Sequence, residues 1–367
     1  MHALAAAGRT GGTRFQTLDG LRGLAAIAVL ISHIAPSICT ITVLRNWYAV
    51  DLFFMISGFV LCRVYEPRFR TGLTAGQFML QRYIRLYPLF ALGLLFGLVA
   101  ETLAVLAHQS LFDGWQRAIA LTTGLAILPS PTMDATPEII PLNAVGWSLF
   151  FELAANFVYV VFWPRLSKRV LMMIVAASAL DLLWSAHHGT SFGGTSWSSF
   201  WGGFPRVTFC FFTGVLIART LHERRRVSGL AWLPIPLLLG LLFVPWRDGD
   251  VRDVLIMMLA FPSIIAFAAG VEPPRPRLFS LAGRLSYPVY AVHYPLYLCL
   301  AHGLFLLGMM PDALAPWGGI AFAVAICIVG QMLDRYYDTP LRRWLTRMLA
   351  ARQSLQTPVP RANRPLA

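Results

Sequence analysis

Charged residues are scarce in this chain: Asp, Glu, Lys and Arg make up only 13% of its 367 residues. Soluble domains carry about 25%, so this deficit, together with 57% hydrophobic residues, excludes an ordinary soluble protein and indicates a polytopic membrane protein. Acidic residues are less frequent than basic residues, 17 against 30. The basic residues cluster between apolar runs, so we attribute the net charge of +13 to membrane topology and not to nucleic-acid binding.

Several patterns that identify a familiar chemistry are also missing. The five cysteines stand singly, with no CxxC and no metal-type spacing, so we expect no metal site. No H-E-x-x-H or Walker motif is present, and no repeat indicates a transporter. Any chemistry must therefore depend on polar residues within the apolar runs, where each such residue is costly.

Apolar runs recur along the chain at the length of a membrane-spanning helix, about 20 residues. We interpret as spans the runs 21–38, 48–64, 88–107, 145–163, 170–186, 204–221, 230–245, 251–270, 279–307 and 316–337. The shorter run 117–128 is interpreted as a re-entrant or interfacial helix, because the basic clusters alternate correctly only if it does not cross. The predicted fold class is an all-α polytopic membrane helix bundle of about ten transmembrane helices.

The charge pattern also predicts domain limits and orientation. We expect a cytoplasmic N-terminal tail at 1–14, an integral membrane domain at 15–345 and a cytoplasmic, disordered tail at 346–367. The basic clusters place both termini in the cytoplasm, and the predicted location is the cell inner (plasma) membrane.

Three ionisable residues stand at the start of the chain's apolar region: Asp19, Arg22 and His33. His33 follows Arg22 by three helical turns plus about 20°, so both share one face, roughly 16 Å apart along the axis. Asp19 lies one turn before Arg22 and can face it. His33 is a candidate general base or transient acyl carrier. The alternative is that Arg22 reaches phosphate headgroups and His33 satisfies a backbone group.

An arginine pair, Arg82 and Arg85, lies on the amphipathic stretch 75–87. The i, i+3 spacing places both guanidinium groups on one side of a helix. Two such forks suit a phosphate or diphosphate ligand. Binding to interfacial phospholipid is the alternative explanation.

A polar stripe marks the span 145–163. Ser148, Glu152 and Asn156 are spaced i, i+4 and i+8 and share one face. A carboxylate that faces the bundle interior can relay protons or orient a histidine, which makes Glu152 a candidate catalytic residue. The alternative is a stripe of hydrogen bonds that packs helices together.

A second polar face lies on the span 279–307, where Ser286, Tyr290 and His293 are spaced i, i+4 and i+7. Pro288 and Pro295 on the same run free backbone carbonyls that need partners. His293 is thus a second histidine within the membrane, and bonding a freed carbonyl is its alternative role.

Smaller features mark the second span. Asp51, near the start of that helix, is interpreted as a cap. The Ser57-Gly58 pair is interpreted as a site of close helix packing.

The motifs, in the order in which they occur along the chain, resemble those of the membrane acyltransferase-3 family. Members of this family O-acylate polysaccharides, lipopolysaccharide, macrolides and related compounds. The resemblance covers roughly 15–340, and its motifs are weak singly but specific in combination. They are Leu18-Asp19-Gly20-Leu21-Arg22-Gly23 with the Arg-x10-His spacing to His33, Phe53-Phe54-Met55-Ile56-Ser57-Gly58-Phe59, Arg82-x-x-Arg85, Trp147-Ser148-Leu149 with Glu152, and Ser286-Tyr287 followed by His293.

The resemblance implies acyl transfer from acyl-coenzyme A, often acetyl-CoA, on the cytoplasmic side to a hydroxyl, often on a glycan at the other face. Arg22 and His33 match the family's arginine–histidine pair, and Arg82 and Arg85 match the pair that meets the donor. We expect acyl-CoA as a co-substrate and no tightly bound cofactor. The alternative function is a transporter or flippase of a glycan or lipid-linked intermediate.

The remaining candidates follow from these roles. Trp147 is expected to stack on a sugar or on the acyl donor, and Ser57 and Tyr290 are candidates to stabilise an oxyanion. Acceptor contacts are expected in the loop 108–144. The residues assigned to the acceptor site or pore lining are Asp19, Ser57, Trp147, Ser148, Ser286, Tyr290 and His293.

Overall fold

The computed structural model describes residues 14–34, 43, 45–132, 134–190, 192–221, 226–243, 245 and 251–356. Within these ranges the protein is a bundle of α-helices, and two short strands, β1 (Arg226–Val227) and β2 (Val271–Glu272), pair in parallel. The helices are α1 (Gln16–Ile34), α2 (Asn46–Arg70), α3 (Ala75–Leu106), α4 (Gly114–Leu125), α5 (Gly146–Phe162), α6 (Lys168–His187), α7 (Gly203–Thr220), α8 (Pro234–Leu242), α9 (Val251–Gly270), α10 (Pro276–Leu306), α11 (Trp317–Leu333) and α12 (Thr339–Gln356). The predicted all-α fold class is confirmed.

Nine helical segments in the described part of the chain are long and apolar enough to cross a membrane, against ten predicted spans. The run 230–245 accounts for the difference. Its apolar helical segment, Gly229–Leu242, is shorter than the roughly 20 residues that a membrane-spanning helix needs. The run 117–128 corresponds to α4, which has 12 residues. A helix of that length is about 18 Å long, too short for a hydrocarbon core of about 30 Å.

The amphipathic stretch 75–87 and the span 88–107 form one continuous helix, α3, of 32 residues. Thr74 and Gln77 make a capping box at its start, which satisfies amide groups that a helix leaves free. Pro88 lies inside the helix without ending it. Arg82 and Arg85 therefore stand on the same helix as the membrane-spanning residues that follow them.

Helices α1 and α10 lie side by side and run in the same direction. A Cβ on Gly23 would lie 2.4 Å from the Cβ of Ala282, so the backbones are in close contact near the start of both helices. Near the other end of α1, His33 contacts His293. The pairing of these two helices thus brings together two histidines that are far apart in sequence.

The predicted close packing at Ser57-Gly58 is confirmed. A Cβ on Gly58 would lie 1.9 Å from the carbonyl oxygen of Phe211 on α7. The contact is reciprocal, because a Cβ on Gly214 would lie 2.0 Å from the carbonyl oxygen of Met55. Small residues of this kind let membrane helices approach backbone to backbone.

Gly58→Ala should therefore destabilise the protein by about 1–3 kcal/mol, the usual range for overpacking, because backbone and not a mobile side chain blocks the new methyl group. The measurement is the free energy of unfolding in detergent micelles. Gly303→Ala on α10 is the matched control, since a Cβ at that glycine meets nothing within 4 Å. Equal stability of the two variants would contradict the close α2–α7 contact.

Buried ion pairs join α2 and the residue before it to other helices. Asp51 accepts a hydrogen bond from Nε of Arg206 on α7 at 2.6 Å, and Arg45 Nε lies 3.2 Å from Asp253 Oδ1 on α9. The interpretation of Asp51 as a cap is wrong: this residue lies inside α2, fully buried, and its charge faces Arg206. A membrane helix keeps such a charge when an opposite charge meets it inside the bundle.

Candidate functional site

Two cavities lie inside the bundle, and each predicted site residue except Asp19 and His293 lines one or both of them. The first, which we name the arginine cavity, occupies about 900 Å³ including its mouth. Its walls come from α1, α2, α3, α5 and α10. Its polar lining residues are Arg22, Ser57, Arg82, Arg85, Ser148, Glu152, Ser286, Tyr287 and Tyr290.

Glu152 lies in the arginine cavity and bonds an arginine, where the sequence predicts a histidine partner. Arg82 Nη2 donates to Glu152 Oε1 at 2.6 Å, and Ser57 Oγ donates to the same oxygen at 2.8 Å. Glu152 is thus an anchor for Arg82. The hydroxyl of Ser57 is also engaged, so Ser57 does not offer a free oxyanion donor in this arrangement.

The other two arginines of this cavity differ in their partners. Arg85 lies 3.9 Å from Asp338, and its guanidinium carbon is 5.4 Å from the centre of the Tyr287 ring. Arg22 forms no hydrogen bond or ion pair with any residue in the described ranges. Asp19, which the sequence predicts can face Arg22, is instead 2.6 Å from Arg14 and does not line either cavity.

The charge balance of the arginine cavity follows from these contacts. Its lining carries three arginines and one glutamate, and Glu152 neutralises Arg82. Arg22 is left as a partly exposed cation in a cavity that polar and apolar side chains line together. Such a site attracts a ligand that brings its own negative charge, since arginine forks bind phosphate and carboxylate groups.

The second cavity, which we name the histidine cavity, contains His33 and occupies about 1060 Å³ including its mouth. Its polar and aromatic lining residues are His33, Asn46, Trp47, Glu138, Trp147, Phe192, Thr195, Arg206, Tyr290 and Tyr294. Arg206 stacks against Trp147 and Phe192, at 5.2 and 5.5 Å from their ring centres. This cavity carries five aromatic side chains besides His33, and its arginine is paired with Asp51, in contrast to the cationic arginine cavity.

A thin wall separates the two cavities. Tyr290 and Val50 line both of them. The Tyr290 hydroxyl and the Ser148 Oγ are hydrogen-bonded at 2.8 Å, and Phe53 packs edge-on against the Tyr290 ring with centroids 5.5 Å apart. The hydrogen bond between Tyr290 and Ser148 therefore lies between the arginines of one cavity and His33 of the other.

Pro295 frees the carbonyl of Ala291, and the structure shows its partner. Asn143 Nδ2 donates to Ala291 O at 3.0 Å. His293 instead faces the carbonyls of Val289 and Tyr290, each at 3.0 Å, and His33. Satisfying the carbonyl that Pro295 frees is therefore not the role of His293.

Sequence reasoning missed Arg206, Asp51 as its partner, and Glu138. Arg206 is a charge near the start of the apolar run 204–221, and an intramembrane charge is itself a signal that could have identified it. Glu138 lies in the loop 108–144, where acceptor contacts are expected, but nothing in its local pattern distinguishes it.

Comparisons with known proteins identify the family of the chain. A family model described as an acyltransferase domain matches residues 15–333. Protein 2 in the picA locus of Rhizobium radiobacter is 36% identical over 183 residues, which cover 47% of this chain and 95% of that protein. Acyltransferase MdmB of Streptomyces mycarofaciens is 32% identical over 171 residues, 43% of this chain and 41% of that protein. No solved structure matches. The chain is a multi-pass membrane protein of the acyltransferase family defined by that domain, the membrane acyltransferase-3 family.

Proposed function

We propose that this acyltransferase moves an acyl group, most simply acetyl, from acyl-CoA to a hydroxyl of a cell-envelope or exported glycan. The observation that carries the proposal is the pair of adjoining cavities. One is cationic and suits a phosphate-bearing donor, and the other is aromatic, contains a histidine and suits a sugar. A transporter needs no such chemical difference between two halves of one route.

The donor binds in the arginine cavity. Arg22 and Arg85 meet phosphates of coenzyme A, while Glu152 and Ser57 hold Arg82 in place. Fixed guanidinium groups in a site with low water content form strong charge-assisted hydrogen bonds. The thioester end of the donor extends past Tyr290 and Ser148 towards His33, which requires their hydrogen bond to open.

The acceptor binds in the histidine cavity, where Trp47, Trp147 and Tyr294 offer ring faces and edges for a sugar. His33 Nε2 takes the proton of the acceptor hydroxyl, and the hydroxyl oxygen attacks the thioester carbonyl. The carbon–sulfur bond then breaks. The thiolate of coenzyme A takes the proton from His33, so an ester and free CoA thiol are formed.

The arginine cavity opens towards the cytoplasm, where acyl-CoA is made. The support is the distribution of basic residues along α2, which passes the histidine cavity at Trp47 and the arginine cavity at Ser57 and then carries Arg63, Arg68 and Arg70. By the positive-inside rule this end of the helix is cytoplasmic.

The donor assignment predicts a specific kinetic defect. Arg22→Gln should raise the KM for acyl-CoA by about ten- to a hundred-fold, the value of one charge-assisted hydrogen bond, and should leave the KM for the acceptor unchanged. Release of free CoA thiol by the purified protein is the measurement. Arg284→Gln, an exposed arginine on α10 outside both cavities, is the control. A change in the acceptor KM alone would show that the arginine cavity does not hold the donor.

A further inference from the structure

Two histidines inside the bundle, His33 and His293, are hydrogen-bonded to each other. Nε2 of His293 lies 3.2 Å from Nδ1 of His33, and the ring centroids are 5.1 Å apart. His33 Nδ1 also lies 2.8 Å from the carbonyl oxygen of Val29. His293 is completely buried and lines neither cavity, whereas His33 lines the histidine cavity. His293 therefore contacts His33 from within the protein and not from the histidine cavity.

The backbone carbonyl oxygens near the two histidines determine which ring nitrogens carry protons. Nδ1 of His293 faces two backbone oxygens, of Val289 and Tyr290, at 3.0 Å each. A carbonyl oxygen only accepts, so Nδ1 of His293 must carry a proton, and Nε2 of the neutral ring is then an acceptor. The same reasoning applies to His33, whose Nδ1 faces the Val29 oxygen and so donates both to it and to His293 Nε2.

One ring nitrogen remains. With Nδ1 of His33 protonated, Nε2 of the neutral ring holds a free lone pair. A proton on His293 Nε2 would face the Nδ1–H of His33, so that two donors meet. If His33 gave up its Nδ1 proton to avoid this, its Nδ1 lone pair would face the Val29 oxygen, so that two acceptors meet. The network thus selects Nε2 of His33 as its basic atom.

We propose that His293 is the positioning residue for His33, a role that rests on the proposed function. It holds His33 in the tautomer whose Nε2 is the base, and it supports the Nδ1–H of the imidazolium that forms when Nε2 takes the acceptor's proton. The logic is that of a base oriented by a third group. An imidazole stands here where a carboxylate commonly stands, so the arrangement adds no second charge to the membrane interior.

The backbone role of His293 alone does not explain this geometry. The carbonyls of Val289 and Tyr290 already have the helical amides of residues 293 and 294 as partners, so neither needs the imidazole. Asn143 satisfies the carbonyl freed by Pro295. The contact of His293 that serves no backbone group is the one between its Nε2 and His33.

Two substitutions separate positioning from structure. His293→Gln keeps a polar atom near the place of Nε2 that can accept from His33, whereas His293→Asn places its amide near Nδ1 and does not reach His33. We expect His293→Asn to lower kcat for acyl transfer about 10- to 100-fold, as loss of an outer-shell partner does, and His293→Gln to recover most of it. The KM for acyl-CoA should not change in either variant. Equal kcat values for the two variants, whether normal or reduced, would overturn the positioning role.

A spectroscopic test is independent of turnover. In protein labelled with ¹⁵N-histidine, the His33 signals, identified by their loss in His33→Gln, should show the tautomer protonated at Nδ1. A neutral His33 protonated at Nε2 would overturn the proposal even if the protein is an active acyltransferase. If the protein instead consumes no acyl-CoA while the Nδ1 tautomer is seen, the proposed function fails and the histidine pairing stands.

Discussion

Replacing His33 with alanine should lower the turnover of acyl transfer about 10²- to 10⁴-fold, the range expected when a positioned general base is lost. The KM for acyl-CoA should stay close to that of the unaltered protein, because His33 lines the histidine cavity and not the arginine cavity. The measurement is steady-state release of CoA thiol at equal amounts of folded protein.

The control for this experiment is a histidine outside both cavities. His302 on α10 bonds Gln109 at 2.8 Å and lines neither cavity, so His302→Ala should retain normal turnover. A His33→Ala protein that turns over at the normal rate would remove His33 from the reaction. A stable acyl adduct on His33, detected by mass after rapid quenching, would instead make His33 an acyl carrier.

The second large effect concerns stability. Arg206→Met should destabilise the protein by about 3–5 kcal/mol, the usual result of leaving a buried charge without its partner. Asp51 is 0% and Arg206 1% exposed, and 2.6 Å separates the bonded atoms. Arg206 also donates to the carbonyls of Gly193 and Trp47, so α2 and the loop at Gly193 both lose contacts with α7.

The double variant Asp51→Leu/Arg206→Met removes both charges and should recover much of the lost stability, because buried pairs can be replaced by apolar residues at little net change. Unfolding in detergent micelles measures all three proteins. Arg169→Met, at an exposed arginine on α6, should be neutral. If the double variant were no more stable than Arg206→Met, the ion pair would not be the cause of the loss.

The sequence predicted most of the fold because the length and hydrophobicity of a run decide whether it can span a bilayer. Its errors have local causes. The run 230–245 contains prolines, and the helix α8 begins at Pro234 and covers only 9 residues. The predicted amphipathic stretch 75–87 and the predicted span 88–107 form one helix, and α3 continues through Pro88, as membrane helices allow when neighbouring groups satisfy the backbone.

The sequence singled out most of the polar residues that line the two cavities, but not how they pair. Helical spacing placed Arg22 and His33 on one face, and each lines a cavity. Glu152 was expected to bond a histidine, but its partner Arg82 lies 70 residues away on another helix. The His33–His293 contact spans 260 residues. Such pairs depend on how helices pack, which the periodicity of a single helix does not encode.

The most direct test of the account follows an isotope label from the acyl group of acetyl-, propionyl- or succinyl-CoA. The purified protein in lipid vesicles is given cell-envelope glycan from which existing esters have been removed by mild base. The account predicts labelled, base-labile ester on the glycan, one free CoA thiol for each ester, and loss of both in His33→Ala. Glycan that stays unlabelled with all three donors, or that crosses the vesicle membrane without any consumption of acyl-CoA, would contradict it.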